Sequence, residues 1–138
     1  MIKIGITGSS GILGKSLIKN LKKYSNYKIH KYRHNILDTQ KINEWIKKNN
    51  FEIILHLAAK VPTSKAKSNY ELVKKVNFNG TKNLINAINT HQNKKVFFYF
   101  IKLCNYINKN MKFFYVILLL CLKNSPLLSS EYIDKGFY

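Results

Sequence analysis

Apolar and polar positions alternate at the start of the chain. Ile2, Ile4 and Ile6 are separated by Lys3 and Gly5, the period of a strand with one face turned toward a core. Across a glycine-rich break the period changes, and Leu13, Leu17, Ile18 and Leu21 recur at helical spacing. The same switch repeats downstream. Residues 27–31 read as a second short strand, and Asp38 stands as the N-cap of a helix over 39–49 whose apolar side is Ile42, Trp45 and Ile46. Residues 51–57 (FEIILHL) are nearly all apolar, which predicts a central parallel strand covered on both faces. A loop containing Pro62 leads to a long helix over 70–90 carrying Leu72, Val76, Leu84, Ile85 and Ile88, and 96–101 is the next strand. Strands alternating with helices at these intervals predict an α/β fold, a Rossmann-type doubly wound parallel sheet.

After residue 101 the order degrades. Residues 102–112 mix Lys, Asn and Tyr without a period, and 113–122 are apolar throughout, which fits either a strand or a buried helix. A turn at Ser125 and Pro126 and one helical turn over 129–135 complete the tail. No internal repeat and no flexible linker is visible. The expected organisation is an incomplete Rossmann domain over 1–101, followed by a divergent or truncated segment over 102–138.

The break between the first strand and the first helix carries candidate chemistry. It reads TGSSGILG, with Gly8, Gly11 and Gly14 at the spacing of a phosphate-binding turn. Gly8 permits a tight turn off the strand, Gly11 removes a side chain where backbone must approach phosphate, and Gly14 lets the helix pack closely on the sheet. The helix start then aims unpaired N–H groups and its dipole at negative charge. Glycine triplets also mark ordinary turns; here the strand before and the helix after supply the context that a nucleotide site requires.

Composition changes this picture little. The net charge of +18 resembles the footprint of a nucleic-acid binder. All the basic residues except Arg33 are lysines, however, dispersed along the chain rather than gathered in a stripe, and Lys, Asn and Ile share A/T-rich codons. No specific nucleic-acid partner is expected, only nonspecific attraction at low salt. Cys104 and Cys121 have neither zinc-ligand nor CxxC spacing and read as incidental thiols, so no metal is expected. The N-terminus is a strand rather than a secretory signal, and the apolar run over 113–122 is about half a membrane span. A cytoplasmic protein without a membrane partner is the expectation.

Four landmarks stand in order: Thr7 to Gly14 (TGSSGILG), Asn35 to Asp38 (NILD), His56 to Ala59 (HLAA), and Val76 to Thr81 (VNFNGT) followed by KNLINAI. Together they resemble the extended short-chain dehydrogenase/reductase family, the NAD(P)-dependent nucleotide-sugar epimerases, dehydratases and reductases, over residues 1–101. The resemblance implies that Gly8, Ser10, Gly11, Ile12 and Leu13 hold the pyrophosphate while Gly14 packs the helix. Asn35, standing where the family usually has an acid, would accept a hydrogen bond from the adenine amino group. Ile36 would contact the adenine face. Leu57, Ala58 and Ala59 would lie along the ribose and nicotinamide, and Asn77 would bridge the strand backbone near the cofactor. His56 is expected simply to end a buried strand. NAD-specific members place an acid at the end of the second strand, whereas this chain reads His30, Lys31, Tyr32, Arg33, His34. Arg33 in a basic cluster favours NADP over NAD.

The catalytic half of the family pattern is not found in place. The resemblance calls for a Ser or Thr at the end of the strand beginning near Val96, where the chain reads FIKLC, and for a Tyr-x-x-x-Lys pair on a later helix. Tyr24 with Lys28 and Tyr70 with Lys74 have that spacing but lie too early. Tyr132 with Lys135 lies in the right region one residue short, at a spacing that still shares a helix face. The family's substrate lobe would follow the last residue. The expectation is an NAD(P)-binding protein of the epimerase/dehydratase family acting on nucleotide sugars, in a truncated or frameshifted copy. A catalytically inert dinucleotide-binding remnant or sensor is the alternative, and a basic nucleic-acid-associated protein is the third reading. A nucleotide-sugar substrate is expected only of a full-length form, and the oligomeric state is left open.

Overall fold

The computed structural model describes residues 1–60, 70–93, 95–103 and 115–122. In chain order the elements are β1 (Ile2–Thr7), α1 (Ile12–Leu21), β2 (Tyr27–Lys31), α2 (Thr39–Asn49) and β3 (Ile53–His56). They continue with α3 (Tyr70–Lys74), a π-helical segment (Lys75–Asn79), α4 (Gly80–His91), β4 (Val96–Leu103) and β5 (Tyr115–Leu122). The strands form one five-stranded sheet in the order β2-β1-β3-β4-β5. The first four in sequence run parallel. From β1 the chain steps to β2 on one side and then crosses to β3 on the other, which opens a crevice beyond the carboxyl ends of β1 and β3.

Alternation along β1 assigns its two faces. Ile4 and Ile6 turn toward α1, where they enclose Ile18 with Leu21, Ile29, Ile53 and Leu55 around them. Gly5 turns the other way, and a Cβ there would come within 2.9 Å of the Trp45 ring and 3.1 Å of Phe51. That second face carries the larger core, in which Ile42 and Ile46 of α2 and Leu84, Ile85 and Ile88 of α4 pack on Ile54, Phe98 and Phe100. With helices on both faces, β3 is covered as its apolar run requires. Asn50 ends α2 in the left-handed region at φ 43°, a conformation that Asn adopts more readily than most residues.

The cap at the other end of α2 has the form the sequence predicts, with Lys41 N donating to Asp38 Oδ1 at 3.0 Å. Asp38→Ala should lower unfolding free energy by about 1 kcal/mol. Urea denaturation checks this, and an unchanged midpoint would remove the cap from the account of α2.

Three features differ from expectation. Of the two readings left open for the apolar stretch, Tyr115–Leu122 takes the strand, β5, but this strand pairs antiparallel with β4, from Val96 opposite Leu122 to Leu103 opposite Tyr115. The sheet therefore extends past residue 101 and is not wholly parallel. The long helix over 70–90 is interrupted by the π-helical segment, whose extra residue per turn shifts the buried stripe. Leu72, expected in the core, is 38% exposed, and Val73 is buried instead. The turn at Ser125, the tail helix and the loop around Pro62 lie outside the described residues.

Candidate functional site

Beyond the ends of β1, β2 and β3 lies an open cavity of about 490 Å3. Gly8, Ser9, Ser10 and Lys15 form one wall, Lys31, Tyr32, Arg33 and His34 a second, and Ile36 and Ala58 the remainder. Among the described residues no carboxylate lines it.

The glycine turn builds the first wall. Gly8 has φ +67°, where a side chain is strained, and a Cβ there would sit 2.5 Å from both Leu57 C and Ala58 N. Gly11 N donates to Gly8 O at 3.1 Å, closing the turn, and Gly11 O accepts the first helical bond from Lys15 N. The N–H groups of Ile12, Leu13 and Gly14 therefore start α1 without intrahelical partners. A Cβ on Gly11 would meet nothing closer than Gly8 O at 3.4 Å, so the space in front of it is free. A Cβ on Gly14 would collide with Gly8 O and Ser9 Cα. Its close approach is thus to the turn itself, not to the sheet as expected.

Of the residues singled out from sequence, Gly8, Ser10, Arg33, Ile36 and Ala58 line the cavity. Gly11, Ile12, Leu13, Gly14, Asn35, Leu57, Ala59 and Asn77 are not among its lining residues. Ile12 is 89% exposed and Leu13 42%. Asn35 uses its side-chain oxygen locally, accepting from Leu37 N at 3.0 Å. Ile36 also holds the floor of the cavity to α4, since a Cβ on Gly80 would come within 2.6 Å of its Cγ2. Tyr132 and Lys135 lie outside the described residues, as does Cys104. Phe100, Ile101, Lys102 and Leu103 at the end of β4 supply no hydroxyl.

Sequence reasoning passed over Ser9 and Lys15, and took Lys31, Tyr32 and His34 only as part of the cluster around Arg33; all five line the cavity. For Lys15 a signal existed, because it directly follows the last glycine of the turn. Tyr32 is only 5% exposed and donates to Asn35 O at 3.0 Å, which ties β2 to the turn before α2. Burial, with Asp38 and Glu44 nearby, pushes its phenol up to about 12, so it serves as a donor and not as a proton acceptor near neutrality.

His56 does more than end a strand. It is 4% exposed, with Nδ1 2.6 Å from Thr7 Oγ1 and Nε2 2.9 Å from Thr81 Oγ1. Thr81 donates its own hydroxyl to Asn77 O at 2.6 Å, so toward His56 it accepts, and the imidazole proton resides on Nε2. Nδ1 then accepts from Thr7, whose oxygen also receives Ala58 N–H at 3.3 Å. One directed chain of hydrogen bonds thus runs from the cavity wall at Ala58 through β1 and β3 to the π-helical segment. There the side chain of Asn77 accepts from Lys60 N at 2.7 Å and donates to Lys60 O at 2.9 Å. This network fixes the first residues after β3 at two points, Ala58 and Lys60. Burial holds His56 down to about 4, so the ring is neutral.

A family model described as RmlD substrate binding domain matches residues 2–98. The chain belongs to the RmlD substrate binding domain family. Solved structures agree with that family. The dTDP-4-dehydrorhamnose reductase of Clostridium acetobutylicum is similar at 28% identity and TM-score 0.58, over 64% of this chain and 32% of that one. The dTDP-4-dehydrorhamnose reductase of Bacillus anthracis, determined in complex with NADP, is similar at 26% identity and TM-score 0.60, over 65% and 33%. RMD from Pseudomonas aeruginosa, complexed with NADPH, has TM-score 0.67 over 81% of this chain and 39% of its own, and at 19% identity shows the fold alone. The chain thus spans about a third of the length of the reductases it resembles. No curated protein matches it by sequence. The RmlD match covers β1 through the start of β4 and takes in all four motifs. Among the described residues no helix is long and apolar enough to cross a membrane, and no group of His, Cys, Asp or Glu is placed to hold a metal.

Proposed function

We propose that this chain binds a nicotinamide dinucleotide, NAD(P), in the cavity beyond β1, β2 and β3, as the cofactor-binding part of a nucleotide-sugar reductase or epimerase of the cytoplasm. The observation that carries this reading is the glycine turn: the approach to Gly11 is open and the N–H groups that start α1 are free, beside a cavity whose described lining includes Gly8, Ser9 and Ser10 of the same turn and no carboxylate. Those donors and the helix dipole suit a pyrophosphate. The two reductases of this family described above support the reading, one of them solved with NADP.

In this reading Gly8, Ser10 and Gly11 shape the pyrophosphate cradle, with the backbone of Ile12, Leu13 and Gly14 donating into it. Ile36 forms an apolar wall for adenine beside Asn35, and Leu57, Ala58 and Ala59 leave room for the nicotinamide half. Asn77 keeps that loop in place through Lys60. Arg33, with no acid beside it among the described lining residues, favours NADP over NAD. When bound, the nicotinamide supplies hydride transfer; the protein's own part is to orient it and shield one face. The end of β4 offers no hydroxyl to a substrate oxygen, which favours a second reading: a module that binds dinucleotide without turning it over.

Calorimetric titration of the purified chain with NADP and NAD, followed by nicotinamide absorbance in the presence of nucleotide sugars, tests both readings. Binding is expected for each dinucleotide, and binding without absorbance change supports the inert module. Lack of heat for either at millimolar concentration would overturn the dinucleotide reading.

A further inference from the structure

The cavity does not stop at the end of β2. On its outer side it meets a second recess of about 290 Å3 lined by Ser9, Lys15, Ile18, Lys19, Lys22 and Lys31. Ser9, Lys15 and Lys31 line both hollows. Lys15, Lys19 and Lys22 follow one another at helical spacing along α1, and Lys31 closes β2 beside them. Like charges spaced in this way repel, and among the described residues no carboxylate lines either hollow to offset them. The arrangement suits an anion placed at the junction, where Lys15 and Lys31 converge.

We infer that Lys15, with Lys31, takes the phosphate that NADP carries on its adenosine ribose, and that Lys15 adds to Arg33 a second determinant of the preference for NADP over NAD. The inference rests on the dinucleotide reading above and adds a residue to it. A pyrophosphate on the glycine turn places the adenosine toward the end of β2, since that strand and Ile36 bound the cavity there. Lys15 lies in the first turn of α1, one residue past Gly14, so its ammonium reaches the same end of the cavity from the opposite wall. Arg33 lines only the inner hollow, and Lys19 and Lys22 only the outer one. Among the described residues, Lys15 and Lys31 are the cations that line both hollows.

The test uses pairs of ligands that differ only by this phosphate: adenosine 2′,5′-bisphosphate against 5′-AMP, and NADP against NAD, titrated at 0.15 M salt. Lys15 is exposed, so Lys15→Gln removes the charge without disturbing the core. This variant should bind adenosine 2′,5′-bisphosphate and NADP about tenfold more weakly, as expected for loss of one charge-assisted phosphate contact. Affinity for 5′-AMP and NAD should stay within about twofold, and Lys22→Gln should leave all four ligands within that margin. Equal loss toward both members of each pair would place Lys15 on the shared phosphates, and no loss would remove it from the site; either overturns the inference and leaves the dinucleotide reading intact. A wild-type chain that binds neither NADP nor NAD sinks that reading, and the inference with it.

Discussion

Gly8→Ala should destabilise the fold by about 3–5 kcal/mol, combining a left-handed backbone that resists a side chain with a methyl group driven into neighbouring backbone. The angle of +67° supplies the first part, and contacts of 2.5 Å to Leu57 and Ala58 supply the second. Backbone cannot swing aside as a flexible side chain can, so the loop after β3 would have to move away from β1. That movement stretches the bond from Ala58 N to Thr7 Oγ1 and reaches His56 through it. Gly11→Ala makes the instructive contrast. Its φ is −70° and its nearest obstacle is 3.4 Å away, so stability should change by less than about 1 kcal/mol. Dinucleotide affinity should nevertheless fall by about tenfold or more, because the new methyl group occupies the approach to the α1 donors. Urea denaturation of both variants and calorimetry on Gly11→Ala separate the two roles. Equal stability losses would show that the glycines serve the turn alone.

This contrast marks what the amino-acid pattern could and could not convey. The alternation in Ile2, Ile4 and Ile6, the helical stripes and the apolar run of β3 each report burial on a period, and periodic burial is what neighbouring residues record. Four parallel strands and the helices between them were legible for that reason. The direction of β5 was not, because an apolar run fits either orientation and its pairing is decided by where β4 lies. The π-helical segment was also hidden, since its extra residue shifts a stripe by an amount that a short pattern absorbs. At the site, glycine spacing revealed the turn because backbone geometry restricts the residue type. Lys15 stayed invisible, and its pairing with Lys31 too, because a lysine in a lysine-rich chain carries little information until two elements bring it to one cavity.

His56 shows the same limit in a buried group. Its neighbours in sequence mark it as the end of a strand, whereas its partners, Thr7 and Thr81, are 49 and 25 residues away and meet it only when β1, β3 and α4 assemble. Both hydroxyls satisfy the ring as a neutral Nε2–H tautomer. A second proton on Nδ1 would face the oxygen of Thr7, forcing that hydroxyl to turn and lose its role as donor, and burial against Phe98 offers no water to compensate.

A consequence for acid stability follows from that arrangement. In the unfolded chain the imidazole takes up its proton near pH 6.5, whereas in the folded protein it does so only near 4. Below 6.5 the unfolded state therefore binds a proton that the native state refuses, and stability falls with decreasing pH until the folded group titrates too. Full stability from this source is present above pH 6.5 and is lost by about pH 4. The interval corresponds to about 3 kcal/mol at 1.36 kcal/mol per unit. His30, lowered by burial and by Lys28 and Lys3, adds to the loss with the same sign. Urea denaturation between pH 7.5 and 4.5 should show the decline in the wild-type chain, and His56→Asn, which cannot titrate there, should flatten most of it around a lower starting stability. Proton NMR of the wild-type imidazole supplies the second measurement. Its Cε1–H resonance should hold its neutral position from pH 7 down to about 5, and a midpoint near 6.5 would show that the ring is not enclosed by Thr7 and Thr81 as described.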